Sequence, residues 1–280
     1  MNWLVNLGLG VAGAYAALLA IMYLAQTWLL FPSGLAALGR PDLPAQAARL
    51  EVTTPDAERL IGVRLPPAGG EAAEGPILLG FPGNAWDAQA MALTLSELLP
   101  EHEAIVFHYR GYSPSGGQAS ANALLKDSIA VFDHLAREPG ARPVIAVGVS
   151  IGSPVAAYLA RHRPVAGLIL ITPFDSLVEL ARDHYPWLPV RLLLRHRMPT
   201  LDYVRDLETP TAIIVAGADT IVPPRRSRPL QRALRNLVFV ATIEEAGHND
   251  LYDRAAFRAA IREAVARIQA AAKPASSQPH

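Results

Sequence analysis

Val144-Ile145-Ala146-Val147-Gly148-Val149-Ser150-Ile151-Gly152 is the stretch that decides the fold of this 280-residue chain. A short, wholly apolar run of this kind reads as a strand buried on both faces, and it breaks directly into the pattern G-x-S-x-G. At such a break between strand and helix the serine occupies a sharp, strained turn. A Cβ at either glycine would collide with the neighbouring strand or helix. The Ser150 hydroxyl is thereby pushed out above the sheet, beside the free amides of a helix N-terminus. That is how a weak nucleophile is presented for acyl transfer.

Outward from this turn, apolar runs alternate with amphipathic segments. Strands are expected at Ile77–Phe81, Ala104–Tyr109, Val144–Val149, Leu168–Thr172, Thr211–Ala216 and Val238–Ile243. Helices are expected near Ala88–Leu99, Ala121–Arg137, Ser153–Arg161, Arg226–Leu234 and Leu251–Gln269. Alternating apolar and polar residues over Arg49–Thr53 and Leu60–Leu65 suggest an antiparallel hairpin ahead of them. The whole is an α/β pattern: a mostly parallel sheet with helices on both faces, whose chemistry lies beyond the C-terminal strand ends. About 38 residues between Thr172 and Thr211 hold no core strand, and the segment 175–208 is expected to form a small lid.

A serine nucleophile needs a base, and the base an orienting acid. Of the eight histidines, only His248, in Gly247-His248-Asn249-Asp250, stands just past the end of an expected strand. His108 reads as a packing residue within a strand. His102, His134, His162, His184 and His196 read as solvated surface residues. Asp219, after Thr211–Ala216, is the candidate acid. Its simpler reading is a turn residue that satisfies backbone amides. Asp175 is the alternative acid, or the cap of a helix starting near Leu177. The order Ser150, Asp219, His248 is nucleophile, acid, base. For an oxyanion hole one donor would be the backbone N–H of Ile151. The N–H of Asn84, in Phe81-Pro82-Gly83-Asn84, would be the other, although the same Gly-Asn pair also suits a plain turn before a helix.

Tyr109-Arg110-Gly111-Tyr112-Ser113, Thr172-Pro173-Phe174-Asp175-Ser176-Leu177, the Pro82-Gly83-Asn84 loop, the turn at Ser150 and the Asp219 and His248 segments together resemble the α/β-hydrolase superfamily. The likeness is to its membrane-anchored serine hydrolases with a single N-terminal helix and little lid, and it covers about residues 25 to 270. It implies an eight-stranded α/β-hydrolase sheet and a Ser150–His248–Asp219 triad. It also implies cleavage of acyl esters or thioesters, of lipids or acylated substrates. The family's usual histidine before Gly-Asn is Pro82 here, so the bracing of that loop must differ. Pro82 itself would stiffen it by fixing φ. An acyltransferase or an amidase/peptidase would use the same triad, and a catalytically silent membrane-anchored binding module would keep the fold alone. A carboxylate-dependent dehalogenase is disfavoured by the serine at 150.

Composition bounds the rest. Net charge is zero, so no nucleic-acid footprint is visible. The chain has no cysteine, which rules out disulfides and thiolate metal sites. No phosphate-binding loop, dinucleotide fingerprint or histidine-rich metal spacing is present, and no cofactor or metal is implied. Oligomeric state is left open. Residues 2 to 39 carry no charge, and Trp3 to Phe31 as helix would measure about 40 Å, enough to cross a hydrocarbon core of about 30 Å. Trp3 at one end and Tyr23, Trp28 and Phe31 towards the other fit interfacial belts. A cleaved signal peptide is the competing reading, weakened by the lack of Lys or Arg before the apolar run. Arg40 and Arg49 follow the span and no basic residue precedes it, which leans towards a cytoplasmic catalytic domain. The expected organisation is an anchor over 1–31, a linker over 32–48, the hydrolase domain over 49–272 and a disordered tail over 273–280. Arg191, Arg195 and Arg197 read either as a lid patch touching anionic lipid or as a solvated face. Arg225, Arg226, Arg228, Arg232 and Arg235 read as solvated.

Overall fold

The computed structural model describes residues 2–69 and 75–272; the expected tail over 273–280 and part of the loop before Ile77 lie outside them. Eight strands form one sheet: β1 (Ala48–Thr53), β2 (Arg59–Leu65), β3 (Ile77–Phe81), β4 (Ala104–Phe107), β5 (Val144–Val149), β6 (Gly167–Ile171), β7 (Thr211–Ala216) and β8 (Leu237–Ile243). Their spatial order is β1-β2-β4-β3-β5-β6-β7-β8. Pairing is antiparallel from β1 to β2 and from β2 to β4, and parallel from β4 to β8.

The helices are α1 (Asn2–Leu30), α2 (Ser33–Leu38), α3 (Ala88–Leu98), α4 (Ala121–Leu135), α5 (Gly152–His162), α6 (Leu177–His184), α7 (Val190–Leu193), α8 (Thr200–Val204), α9 (Arg228–Ala233) and α10 (Ala255–Ala272). Because successive strand residues point to opposite faces, the core divides in two. Leu79, Ala146, Leu168 and Ile213 pack with Leu124 and Val131 of α4 and Val155 and Leu159 of α5. Leu78, Ile145, Ile169 and Ala212 pack with Met91 and Leu95 of α3 and Ile261 and Val265 of α10. The central strands are buried along their whole length, so their continuous apolar runs are the sequence form of a two-sided sheet.

Several expectations need correction. Within the expected linker over 32–48, Ser33–Leu38 is helical and Ala36, like Phe31 just before the linker, is buried in the main core. Pro32 and Gly39 bound a helical turn there instead of breaking the chain. Arg40 fastens the segment to the domain through Asp87 at 3.0 Å. His102 and His196, expected on the surface, are buried. His102 Nδ1 lies 3.2 Å from the carbonyl of Pro76. The last helix begins at Ala255, since Leu251–Asp253 forms a separate 3-10 turn.

Candidate active site

The turn after β5 has the shape its glycines allow. Ser150 sits at φ +51°, a left-handed conformation costly for a side-chain-bearing residue, and is half-buried. A Cβ on Gly148 would stand 2.5 Å from the carbonyl oxygen of Gly152 and 2.8 Å from Ala156 Cβ in α5. One on Gly152 would stand 2.0 Å from the Phe81 carbonyl oxygen at the end of β3. The Ser150 N–H donates to the carbonyl of Ile171 at 2.9 Å, tying the turn to the end of β6.

Asp219 and His248 come from the loops after β7 and β8. Those loops are joined by Gly217 N to Ile243 O and Ala218 N to Ala246 O, each 2.9 Å. Asp219 Oδ1 accepts from the N–H groups of Ile221 (2.8 Å) and Val222 (2.7 Å), so its turn-forming reading holds. Its other oxygen, Oδ2, accepts from His248 Nδ1 at 2.6 Å. One carboxylate thus both shapes its own turn and holds the His248 ring. The bond places the Nδ1 proton and leaves Nε2 as the acceptor of the neutral ring. Asp250 Oδ1 accepts from the Gly247 N–H at 2.7 Å and shapes the turn that carries His248. Among the described residues no hydrogen bond joins Ser150 to His248.

The loop after β3 closes the site. Gly83 is the neighbour of Ser150: a Cβ built on it falls 3.9 Å from Ser150 Cβ. Trp86 packs against Tyr252, four residues past His248, with ring centroids 4.7 Å apart and planes tilted by 48°. Among the described residues the N–H groups of Asn84 and Ile151 have no acceptor from the protein. The structure therefore brings the Ser150 turn, the Pro82–Asn84 loop and the His248 loop to one end of the sheet.

Sequence reasoning missed the brace of that loop. Tyr109 Oη donates to the Pro82 carbonyl at 2.8 Å and Tyr112 Oη to the Asn84 carbonyl at 2.8 Å. Burial pushes both phenols well above their ordinary range, so they stay protonated donors. Arg110 between them holds Asp127 with bonds of 2.6 and 3.0 Å and Asp56 at 2.8 Å. The Arg110 guanidinium keeps the Asp56 carboxyl far below the usual carboxylate range. Behind the loop, Asp87 caps α3 by accepting from Gln89 N at 2.8 Å and lies 3.7 Å from His108 Nδ1. His108 is lowered to about 4, chiefly by burial. Only the Tyr109–Ser113 motif pointed here, and spacing alone does not say where its hydroxyls aim.

Asp175 stands elsewhere. Ser176, not Asp175, caps α6, accepting from Val178 N at 3.2 Å. Asp175 pairs with Arg226 at 3.2 Å. Arg226, expected to be solvated, also grips Asp183 of α6 at 2.6 and 2.9 Å, tying α6 to the segment past β7. Among the described residues no cluster of three or more His, Cys, Asp or Glu could hold a metal ion.

The fold is shared by solved structures. The Pyrococcus furiosus esterase Pf2001 superposes with a TM-score of 0.66 over 82% of this chain and 95% of that one, at 15% identity. The chain has the α/β-hydrolase fold. Among its relatives, an uncharacterized protein of Mycobacterium tuberculosis is 35% identical over 203 residues, 71% of each chain. The lysophosphatidylserine lipase ABHD12 of Danio rerio is 26% identical over 175 residues, 53% of this chain and 44% of that protein. No family model matches the chain. α1 is long and apolar enough to cross a membrane.

Proposed function

We propose that this α/β-hydrolase is a serine hydrolase that cleaves acyl ester or thioester bonds through Ser150, His248 and Asp219. The observation that carries the reading is the 2.6 Å bond from His248 Nδ1 to Asp219 Oδ2, made at the same sheet end as the strained Ser150 turn. His248 Nε2 takes the Ser150 proton as Oγ attacks the carbonyl carbon. The tetrahedral oxyanion accepts from the N–H groups of Ile151 and Asn84. Collapse expels the alcohol or thiol, which leaves with the proton held by His248, and an acyl-enzyme remains. Water then gives a proton to His248 and its oxygen to the acyl carbon, and release of the acid restores Ser150. Asp219 stabilises the imidazolium throughout.

A lipid or acylated substrate is supported by the membrane-length α1 and by the lipase named among the relatives. On this reading α1 is a single-pass anchor and the catalytic domain lies on the cytoplasmic side, the side of Arg40 and Arg49. The test is fluorophosphonate labelling of the detergent-solubilised chain and of Ser150→Ala, alongside a p-nitrophenyl ester panel. Labelling and turnover should fall by at least about 10³-fold in the variant. Undiminished turnover in Ser150→Ala, or a folded wild type that takes no label, would overturn the reading. The second outcome would favour a silent binding module.

A further inference from the structure

The lid does not stand clear of the anchor. Tyr15 Oη donates to the Trp187 carbonyl at 2.9 Å. Leu19 and Met22 pack with Val178, Leu188 and Val190. Gln26, itself buried, donates to the Leu193 carbonyl at 3.2 Å and accepts from the Arg195 N–H at 2.7 Å. Thr27 Oγ1 meets His196 Nε2 at 2.8 Å, while His196 Nδ1 accepts from Ala121 N at 3.3 Å. Contact thus runs from Tyr15 to the end of α1, roughly 20 Å along its axis at 1.5 Å per residue.

That length decides the depth of the lid. A span needs about 20 consecutive residues, and α1 has 29. The earliest such stretch ends at Ile21 and the latest begins at Val11, so Tyr15 and Leu19 lie within every possible span. Whatever touches them lies at hydrocarbon depth too. The lid meets the conditions of that solvent. Non-helical backbone survives there only when its polar groups are satisfied from within the protein. Tyr15 caps the Trp187 carbonyl, Gln26 serves Leu193 and Arg195, and Pro186 and Pro189 have no N–H to satisfy. Trp187 is 53% exposed and Leu192 84%, as side chains facing lipid would be. Arg191 is paired with Glu179 at 3.0 Å. Arg195 lies over the Tyr23 ring at 5.0 Å, towards the end of α1, where arginines snorkel to head groups.

Between α1 and the lid is a cavity of about 150 Å³, lined by Met22, Leu29 and Leu30 on one side and Tyr185, Leu188 and Leu193 on the other. The pocket is mostly apolar and opens beside α1, with Gln26 its one polar amide lining, so it suits an apolar guest. We propose that the lid tip, residues 185–194, is immersed in the bilayer beside α1, and that this cavity holds an alkyl chain of a bilayer lipid. The proposal rests on α1 spanning the membrane and is independent of the chemistry at Ser150.

Because the chain has no cysteine, single cysteines report depth cleanly. Leu192→Cys, Val11→Cys within the span, and Glu101→Cys are reconstituted in phosphatidylcholine vesicles opened by a pore-forming peptide. Glu101 follows α3 at the opposite end of the sheet, and its side chain is 60% exposed. A water-soluble maleimide should modify Leu192→Cys and Val11→Cys at least tenfold more slowly than Glu101→Cys, and all three at similar rates in detergent with the chain unfolded. Leu192→Cys reacting as fast as Glu101→Cys while Val11→Cys stays shielded would leave the span standing and overturn the immersed lid. Both reacting fast would overturn the span and the proposal with it. In the same vesicles, phosphatidylcholine with a photoactivatable group in mid-chain should cross-link to Met22, Tyr185 or Leu193, and Ala181→Phe, which fills the cavity, should reduce those adducts several-fold. Adducts confined to other faces of α1, or unchanged by Ala181→Phe, would overturn the lipid site.

Discussion

The two loops that meet at Ser150, the turn that carries it and the Pro82–Asn84 loop beside it, are held by opposite means. The Gly148–Gly152 turn is fixed by what cannot fit: with side chains at its glycines, β3, β5 and α5 could not pack as they do. The Pro82–Asn84 loop is fixed by what reaches it, two phenol hydroxyls from residues 27 and 28 positions later. Exclusion is a local property of small residues and is written into the sequence as glycine. Support by donation depends on where a distant side chain points.

The largest effect expected is therefore a break in the first loop. Gly152→Ala places a methyl 2.0 Å from the Phe81 carbonyl oxygen, a contact only backbone movement can relieve. Its cost should reach or pass the upper end of overpacking, about 3 kcal/mol, read as a lower urea midpoint of the detergent-solubilised chain. Gly83→Ala is the contrast. Its nearest neighbour would be Ser150 Cβ at 3.9 Å, an ordinary contact, so stability should stay within about 0.5 kcal/mol. Equal losses in the two variants would refute the distinction between the loops.

A pH experiment probes the support behind the second loop. Burial lowers His108 to about 4 from its ordinary 6.5. The unfolded chain therefore takes up a proton below pH 6.5 that the folded chain refuses until about pH 4. Stability from the neutral ring is complete above pH 6.5 and is lost as the pH falls towards 4. At 1.36 kcal/mol per pH unit, about 2 kcal/mol should disappear between pH 7.5 and pH 5. His108→Gln should lose that much less over the same interval in urea unfolding. Parallel pH profiles of the two proteins would remove His108 from the account.

What the sequence made legible follows the same division. The two-sided strands were visible because Val144–Val149 and Ile77–Phe81 leave no polar position for a solvent face. The Asp219 loop was visible because it follows such a run, β7, and the His248 loop because it follows the mostly apolar edge strand β8. Ser33–Leu38 was hidden because Pro32 and Gly39 punctuate a helix ending as well as they do a tether, and only the core receiving Phe31 and Ala36 decides between them. His196, Gln26 and Thr27 were hidden because each is a common surface type until its partner, about 169 residues away for the His196–Thr27 pair, is known. Arg226 was hidden among five nearby arginines, of which it alone pairs with both Asp175 and Asp183.

The smallest effects should separate the two tyrosines. In Tyr109→Phe the ring remains and the Pro82 carbonyl, which is buried with its residue, loses its donor. An unsatisfied buried acceptor costs about 1–3 kcal/mol. Because this loop lies against Ser150, turnover of a short p-nitrophenyl ester should fall about tenfold with KM little changed, if the loss is of alignment at the transition state and not of substrate binding. Tyr112→Phe frees the Asn84 carbonyl instead. Asn84 is exposed, so water can replace the phenol, and the cost should remain below about 1 kcal/mol. A larger loss in Tyr112→Phe than in Tyr109→Phe would mean that the outer bond sets the loop. The Pro82 carbonyl would then be an anchor of the fold alone, with the position of the Asn84 N–H governed from the solvent side.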